Sequence, residues 1–196
     1  MSDHQIYYLA IAVAVILPYC AAGLIHLRRR SQALRAPENK KPNNYSALRS
    51  QILSLKCPQD GSLAPDKPSN PCAVVMDWGV NSGVATVVAV SDGSASIYYS
   101  SGGGSIGGGY SSVNIRDAAV QAVSIASKLQ DNVLLTDQFP LPESGGVIFY
   151  IVTGGGVFMA KASVELLRAN LHPLSELGAA MQAIVTEYRM LESRIQ

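Results

Sequence analysis

The sequence predicts an α/β protein of the α+β type, in which an N-terminal transmembrane helix precedes a mainly antiparallel sheet packed with helices. Three observations predict it. The segment 6–27 has no Asp, Glu, Lys or Arg and runs directly into three arginines. Short β-branched runs separated by glycine turns follow residue 72. Two stretches with apolar residues at helical spacing lie among and after these runs.

The span at 6–27 is long enough to cross a bilayer. Its 22 residues would form a helix of about 33 Å, and the hydrocarbon core is about 30 Å thick. Tyr7 and Tyr8 lie where an interfacial aromatic belt is expected. A cleaved signal peptide and a fully buried core helix are the alternatives, but no basic segment precedes the apolar run.

The charges beside the span predict its orientation. Only Asp3, His4 and the amino terminus precede it, whereas six basic residues follow it within fifteen positions. These residues are Arg28, Arg29, Arg30, Arg35, Lys40 and Lys41. Because cytoplasmic flanks collect such residues, we expect a single-pass protein of the cell inner membrane, with its N-terminus outside and its C-terminal domain in the cytoplasm.

The composition limits the partners. A formal net charge of +1 with 15% charged residues excludes a strongly electrostatic partner such as bulk nucleic acid. The basic charge lies beside the membrane, where it determines topology and meets lipid headgroups. The lipid bilayer is therefore a predicted partner.

Five segments follow from these patterns. They are a short exterior N-terminus (1–5), the transmembrane helix (6–27), a basic juxtamembrane tether (28–43), an amphipathic helix with a Pro-rich connection (44–71), and a cytoplasmic α/β domain (72–196).

The amphipathic helix is predicted to begin at Asn44, whose side chain would accept hydrogen bonds from first-turn amides. Leu48, Ile52 and Leu55 form its apolar stripe. Cys57 and Cys72 then bracket the Pro-rich connection. An oxidising compartment would allow a disulfide there, but in the cytoplasm we expect reduced thiols.

The domain begins with a predicted three-strand meander. Ala73–Trp78, Val84–Val90 and Ser94–Ser100 are the strands, joined through turn residues at 81–83 and through Asp92-Gly93. A second apolar hairpin pairs 147–153 with 157–161 through three glycines.

Two helices complete the domain. The first spans Arg116–Gln130, with Asn114 as its N-cap and Ala119, Val123 and Ala126 on its inner face. The last begins near Ser175 and carries a broad apolar stripe. The stripe consists of Leu177, Met181, Ile184, Val185, Tyr188 and Leu191.

A glycine-rich segment separates the meander from the first helix. Gly102, Gly104 and Gly107 fit the G-x-G-x-x-G pattern, which lets backbone amides approach a phosphate. Six glycines within 102–109 satisfy almost any glycine spacing, however, and the preceding strands form a hairpin rather than a parallel crossover. A flexible or ligand-facing loop is the competing interpretation.

No motif predicts catalysis, a cofactor or a metal site. His172 is the one histidine beyond the anchor, and with Ser175 it fits either an acid/base pair or an ordinary helix start, which we favour. Trp78 and Tyr98-Tyr99 fit either a stacking site or sheet packing. The carboxylates show no spacing typical of metal or glycosidic chemistry.

The order of elements over Asn44–Gln196 resembles the roadblock or longin-like (profilin-like) arrangement, which occurs in small-GTPase-associated and scaffolding modules. Roadblock domains usually place two strands before the middle helix and three after it, whereas this sequence predicts three and two. The blocks 83–109 and 172–175 are also similar to bacterial proteins of unassigned function.

The leading hypothesis is a membrane-anchored interaction or scaffold domain that binds another protein or a second copy through an exposed sheet edge or helix face. The alternative is a small-molecule or nucleotide sensor built on 102–109, and an enzyme ranks third.

Overall fold

The computed structural model describes residues 44–58, 70–129 and 131–195. These residues form an α+β domain with a seven-stranded antiparallel sheet and helices on both of its faces. The predicted fold class is confirmed for this part of the chain. The predicted transmembrane helix and tether, with Tyr7, Tyr8 and Arg28–Arg30, lie outside the described residues. Among the described residues, no helix combines the length and apolar character that membrane crossing requires.

The elements follow one another in a simple order. The helices are α1 (Tyr45–Leu53), α2 (Gly108–Ser111), α3 (Val113–Ala126), α4 (Val164–Arg168) and α5 (Ser175–Ile195). The strands are β1 (Ala73–Val80), β2 (Gly83–Val90), β3 (Ala95–Tyr99), β4 (Gly104–Ile106), β5 (Leu134–Thr136), β6 (Gly146–Thr153) and β7 (Gly156–Ser163).

The sheet order is β4-β3-β2-β1-β6-β7-β5, so β1 lies at the centre and β4 and β5 form the two edges. The predicted meander is confirmed as β1, β2 and β3, and the predicted second hairpin as β6 and β7. Strands β4 and β5, which have three residues each, were not predicted. Four strands therefore precede α3 and three follow it, and the roadblock-like arrangement stays a prediction.

Alternate residues of the central strand divide the core into two clusters. Val74 and Met76 face α3 and α5, where Ile115 and Met181 belong to the same buried cluster. Val75 faces the opposite side, where the cluster includes residues of α1. Both faces of β1 are thus covered, which explains why this strand is an almost continuous apolar run.

Helix α3 packs closely because its inner face is made of small residues. Ala119, Ala122 and Ala126 are fully buried, and Val123 lies beside them, as predicted. The predicted start was wrong: α3 begins at Val113, and the Ser112 side chain accepts a hydrogen bond from the Ile115 amide. The predicted cap, Asn114, instead donates from Nδ2 to the Glu187 carboxylate on α5.

Helix α5 begins at Ser175, as predicted, and most of the predicted stripe lies in the core. Its Tyr188 hydroxyl accepts a hydrogen bond from the Gly108 amide at 2.9 Å and donates to the Ala95 carbonyl at 2.7 Å. This one side chain therefore links α5 to α2 and to β3.

Helix α1 is present, and its predicted inner face is confirmed in part, because Leu48 and Ile52 pack against the core cluster on that side of the sheet. Tyr45, Arg49 and Leu53 are its buried residues. Leu48 and Ile52 are only half-buried, and Leu55 lies beyond the end of the helix and is exposed. Asn44 precedes the helix as expected, but its side chain makes no capping hydrogen bond.

Candidate interaction surface and buried polar network

The β4 edge is an open end of the sheet. Its register with β3 pairs Ser96 with Ile106, Ile97 with Ser105, and Tyr98 with Gly104. The flanking Gly107 amide donates to the Ala95 carbonyl of β3. Because backbone groups alternate in direction along an antiparallel strand, Gly104 and Ile106 point theirs outward. An incoming strand would find these groups available.

The glycine-rich segment forms this edge and its two flanks. Gly102 and Gly103 have positive φ angles of 101° and 85°, as a tight turn between β3 and β4 requires. Gly104 packs against β3, because a Cβ atom there would lie 2.3 Å from the Ile97 carbonyl oxygen. Gly107 lies at the N-cap of α2 with φ 74°.

The predicted phosphate-binding glycines are therefore distributed over three different elements. Gly102 lies in the turn, Gly104 in the edge strand and Gly107 at a helix start. The Gly108 amide, at the start of α2, is already bonded to the Tyr188 hydroxyl. Turn formation and close packing account for these glycines without a ligand.

Large exposed apolar side chains accompany the β4 edge. Ile106 is 67% exposed, Tyr110 is 76% exposed and Val113 is 70% exposed. They lie within eight consecutive residues of β4, α2 and the start of α3. We call Ile106, Tyr110 and Val113 the edge patch. Exposed apolar and aromatic side chains beside an open strand are typical of protein-binding surfaces.

A cavity of about 220 Å³ borders the same strand. Its lining includes Tyr99, Gly104 and Ser105 on the sheet side and Arg189 and Glu192 on α5. A strand that pairs with β4 would pass this cavity, which is large enough for a side chain. Main-chain pairing combined with a side-chain pocket is the usual basis of recognition by strand addition.

The opposite edge, β5, also exposes apolar side chains, with Leu134 at 76% and Leu135 at 54%. It pairs with β7 over three residues. The 220 Å³ cavity described above is lined by residues of β4 and by none of β5. Leu134 thus offers a matched control for Ile106.

A buried polar network lies between α1 and the sheet. Arg49 donates from Nε to the Asp77 carboxylate at 2.8 Å, and its Nη2 lies 2.7 Å from the same oxygen. The other Asp77 oxygen accepts the Thr86 hydroxyl at 2.5 Å. Asp77 is fully buried in the central strand, and Arg49 is 9% exposed.

Further contacts surround this ion pair. Arg49 donates to the Phe139 and Pro140 carbonyls, and its guanidinium lies 5.2 Å from the centre of the Tyr150 ring. The Tyr45 and Thr86 hydroxyls are 2.9 Å apart. These contacts hold α1 and the segment at 139–140 against the sheet, so the network has a structural role.

The electrostatics of the pair agree with this role. Burial lowers the pKa of Arg49, but hydrogen bonding and attraction to Asp77 outweigh it, so the pKa lies above its ordinary value and the guanidinium stays charged. Burial raises the pKa of Asp77, and hydrogen bonds from Arg49 and Thr86 oppose that rise. Asp77 therefore depends on Arg49 for the stability of its charged form.

The expectation of reduced thiols was wrong for this structure, in which Cys57 and Cys72 form a disulfide with their Cα atoms 5.8 Å apart. Cys57 follows α1, and Cys72 directly precedes β1. The bond connects the chain just beyond α1 to the residue just before β1, the two elements that the Arg49–Asp77 pair joins.

The aromatic and histidine candidates have packing roles. Trp78 is half-buried and lines an apolar cavity of about 290 Å³ beside α4 and α5. Tyr98 is buried in an edge-to-face contact with Tyr45. The His172 Nδ1 atom accepts the Leu174 amide, and the Ser175 hydroxyl accepts the His172 amide, as a helix start requires.

Sequence reasoning missed Arg49 as a functional partner of Asp77, although one signal was present. Asp77 interrupts an apolar run that is buried on both sides, and a buried carboxylate requires a cation or donors. Arg49 is the one basic residue of α1, which makes it the candidate.

In comparisons with known proteins, no protein-family model, no curated protein and no solved structure matched this chain.

Proposed function

We propose that the chain is a single-pass, membrane-anchored interaction protein whose domain binds a partner by strand addition at β4. The observation that carries this proposal is the β4 edge itself. Its outward backbone groups belong to Gly104 and Ile106, the exposed edge-patch residues follow within 106–113, and the strand borders a cavity lined by Tyr99 and Arg189. The partner is an extended protein segment, supplied by another protein or by a second copy of this chain.

The geometry sets the form of the contact. Two outward residues of β4 supply up to two amides and two carbonyls for an incoming strand. Such a short ladder gives limited affinity, so the edge patch must contribute by burying apolar area. Ile106 would contribute to the backbone ladder and to the edge patch, because its outward backbone groups can bond to the incoming strand and its side chain is exposed.

The 22-residue span at 6–27, which has no Asp, Glu, Lys or Arg, supports the membrane anchor. Arg28, Arg29 and Arg30 directly after it support placement of the domain in the cytoplasm. Carbonate extraction tests the anchor: the full chain should stay with the membrane pellet, and a variant lacking 6–27 should not. Release of the full chain by carbonate would contradict it.

Paired substitutions test the interaction. Ile106→Lys places a charge on the proposed edge, and Leu134→Lys makes the same change on the opposite edge at similar exposure. The full chain is affinity-purified from membranes after cross-linking, and co-purified protein is quantified. We expect Ile106→Lys to reduce the main partner, or the cross-linked dimer, by about tenfold, and Leu134→Lys to leave it unchanged.

Equal capture by all three proteins would contradict the use of β4. A thermal shift with a nucleotide that is lost on replacing Gly104 and Gly107 would favour the sensor hypothesis instead.

A further inference from the structure

The disulfide and the buried ion pair hold the same helix. Helix α1 has nine residues and continues the chain that comes from the proposed membrane tether. Arg49, in its middle, is bound to Asp77 of β1, and Cys57, just beyond its end, is bonded to Cys72 at the start of β1. Two independent links therefore fix α1 to the central strand.

The two cysteines differ in their surroundings. Cys72 is buried, its amide donates to the Val152 carbonyl, and its carbonyl accepts the Ser91 amide. Cys57 is half-buried and lies in a segment without regular structure. The sheet thus fixes one sulfur, while the other is partly accessible to solvent and to a thiol reagent.

We propose that Cys57 and Cys72 are a reversible oxidation site that controls how firmly α1 is held on the sheet. The inference rests on the proposed cytoplasmic placement of the domain, because disulfides in that compartment are usually transient or redox-sensing. Their Cα separation of 5.8 Å falls in the range that a disulfide requires, so the bond can form without backbone movement.

Glutathione disulfide is the oxidant of the matching chemical class. One cysteine thiolate attacks it, forming a mixed disulfide and releasing one glutathione. The second cysteine thiolate then displaces the second glutathione and forms the Cys57–Cys72 bond. The protein dithiol is oxidised, glutathione disulfide is reduced to two molecules of glutathione, and the two thiol protons pass to them.

The bond changes the freedom of α1 rather than its contacts. The bond shortens the connection between α1 and β1 from residues 54–72 to residues 54–57. Because the probability that the ends of a flexible chain meet falls with about the 3/2 power of its length, this shortening disfavours undocking of α1 by roughly tenfold. When the bond is reduced, the Arg49–Asp77 pair and the packing of Tyr45 and Leu53 hold the helix alone. We therefore expect α1 to open more often in the dithiol form.

The test uses the full chain with Cys20→Ser, reconstituted in lipid nanodiscs, so that Cys57 and Cys72 are the remaining thiols. Samples are equilibrated over a range of ratios of glutathione to glutathione disulfide. Alkylation and mass spectrometry give the oxidised fraction, and hydrogen exchange of the 45–53 peptide reports on α1. The control adds Cys57→Ser and Cys72→Ser.

We expect the oxidised fraction to change within cytosolic glutathione ratios and exchange in α1 to be about tenfold faster in the dithiol form. The serine variant should exchange at the fast rate in every buffer, and α5 should not respond. Identical exchange of α1 in the two forms would overturn the proposal. So would a bond that survives a large excess of glutathione, because it would be permanent.

Failure of the proposed placement has a separate signature. An impermeant maleimide that labels the reduced cysteines in intact cells would place the domain outside, whereas the glutathione titration reads the oxidation site directly.

Discussion

The Arg49–Asp77 pair provides the most quantitative prediction. Arg49→Met keeps most of the aliphatic volume but leaves the fully buried Asp77 carboxylate without its cation. Loss of one partner of a buried ion pair typically costs about 3–5 kcal/mol. Because Arg49 also donates to two carbonyls, we expect a value inside this range rather than below it.

The double variant Arg49→Met/Asp77→Val removes both charges from the network. Replacing a whole buried ion pair by apolar residues often changes the free energy of unfolding little. The hydrogen bond between the Tyr45 and Thr86 hydroxyls also remains. We therefore expect the double variant to regain most of the stability that Arg49→Met loses. Arg168→Met, a change at an exposed arginine, is the control and should have an effect within about 0.5 kcal/mol.

The assay is urea unfolding of the full chain in mild detergent, followed by the fluorescence of Trp78, the single tryptophan. A pH series adds a sign test. Burial raises the pKa of Asp77, and loss of Arg49 raises it further, so the folded state of Arg49→Met binds a proton more tightly than the unfolded state. The stability that Arg49→Met loses relative to the unsubstituted protein should therefore become smaller as the pH falls from 7 toward 5. A double variant no more stable than Arg49→Met, or a loss of stability in Arg49→Met that does not depend on pH, would refute the reasoning.

Three further predictions concern tyrosines in the described domain. Tyr188→Phe should lower the free energy of unfolding by about 1–3 kcal/mol, because it strands the buried Gly108 amide and Ala95 carbonyl; an unchanged urea midpoint would contradict this. Tyr98→Phe should raise stability by about 1 kcal/mol, because the Tyr98 hydroxyl is buried without a hydrogen-bond partner, and a loss of stability would be the opposite result. Burial raises the pKa of Tyr150 to about 12. The contribution that this tyrosine makes to the free energy of unfolding is present below pH 10 and should decline by about 2 kcal/mol toward pH 12. Tyr150→Phe should show a smaller decline, and an equal decline would exclude this tyrosine as the cause.

The sequence predicted the parts of the fold that hydrophobic period and turn chemistry determine. Strands β1 and β2 are long β-branched runs, and the Asp92-Gly93 turn connects β2 to β3 with φ 85° at Gly93. The stripe of α5 runs from Leu177 to Leu191, about four turns at 3.6 residues per turn, so its period is unambiguous. These elements were found close to their observed bounds.

The short edge strands could not be predicted in the same way. Strand β4 contains Gly104, Ser105 and Ile106, and neither its composition nor its length distinguishes it from a loop. It is a strand because β3 offers free backbone groups and because Gly104 can approach the Ile97 carbonyl. Such pairing depends on tertiary structure, which no local pattern contains.

The inner face of α1 was predicted only in part: Leu48 and Ile52 pack against the core, but the most buried residues include Arg49, which apolarity does not identify. Arg49 is buried on account of Asp77, which is 28 positions away in the chain. Burial of the Arg49 charge is favourable only because the folded sheet brings Asp77 against it. The interaction edge and the polar network therefore required the structure.

The most direct test of strand addition at β4 is site-specific photo-cross-linking in intact cells. A photoreactive amino acid is placed at position 106 or, for comparison, at position 134 of the full chain. We expect position 106 to give a discrete adduct, whose cross-linked peptide belongs to one extended segment of a partner or of a second copy. Adducts at position 106 that are absent, or no more abundant than those at position 134, would contradict the account.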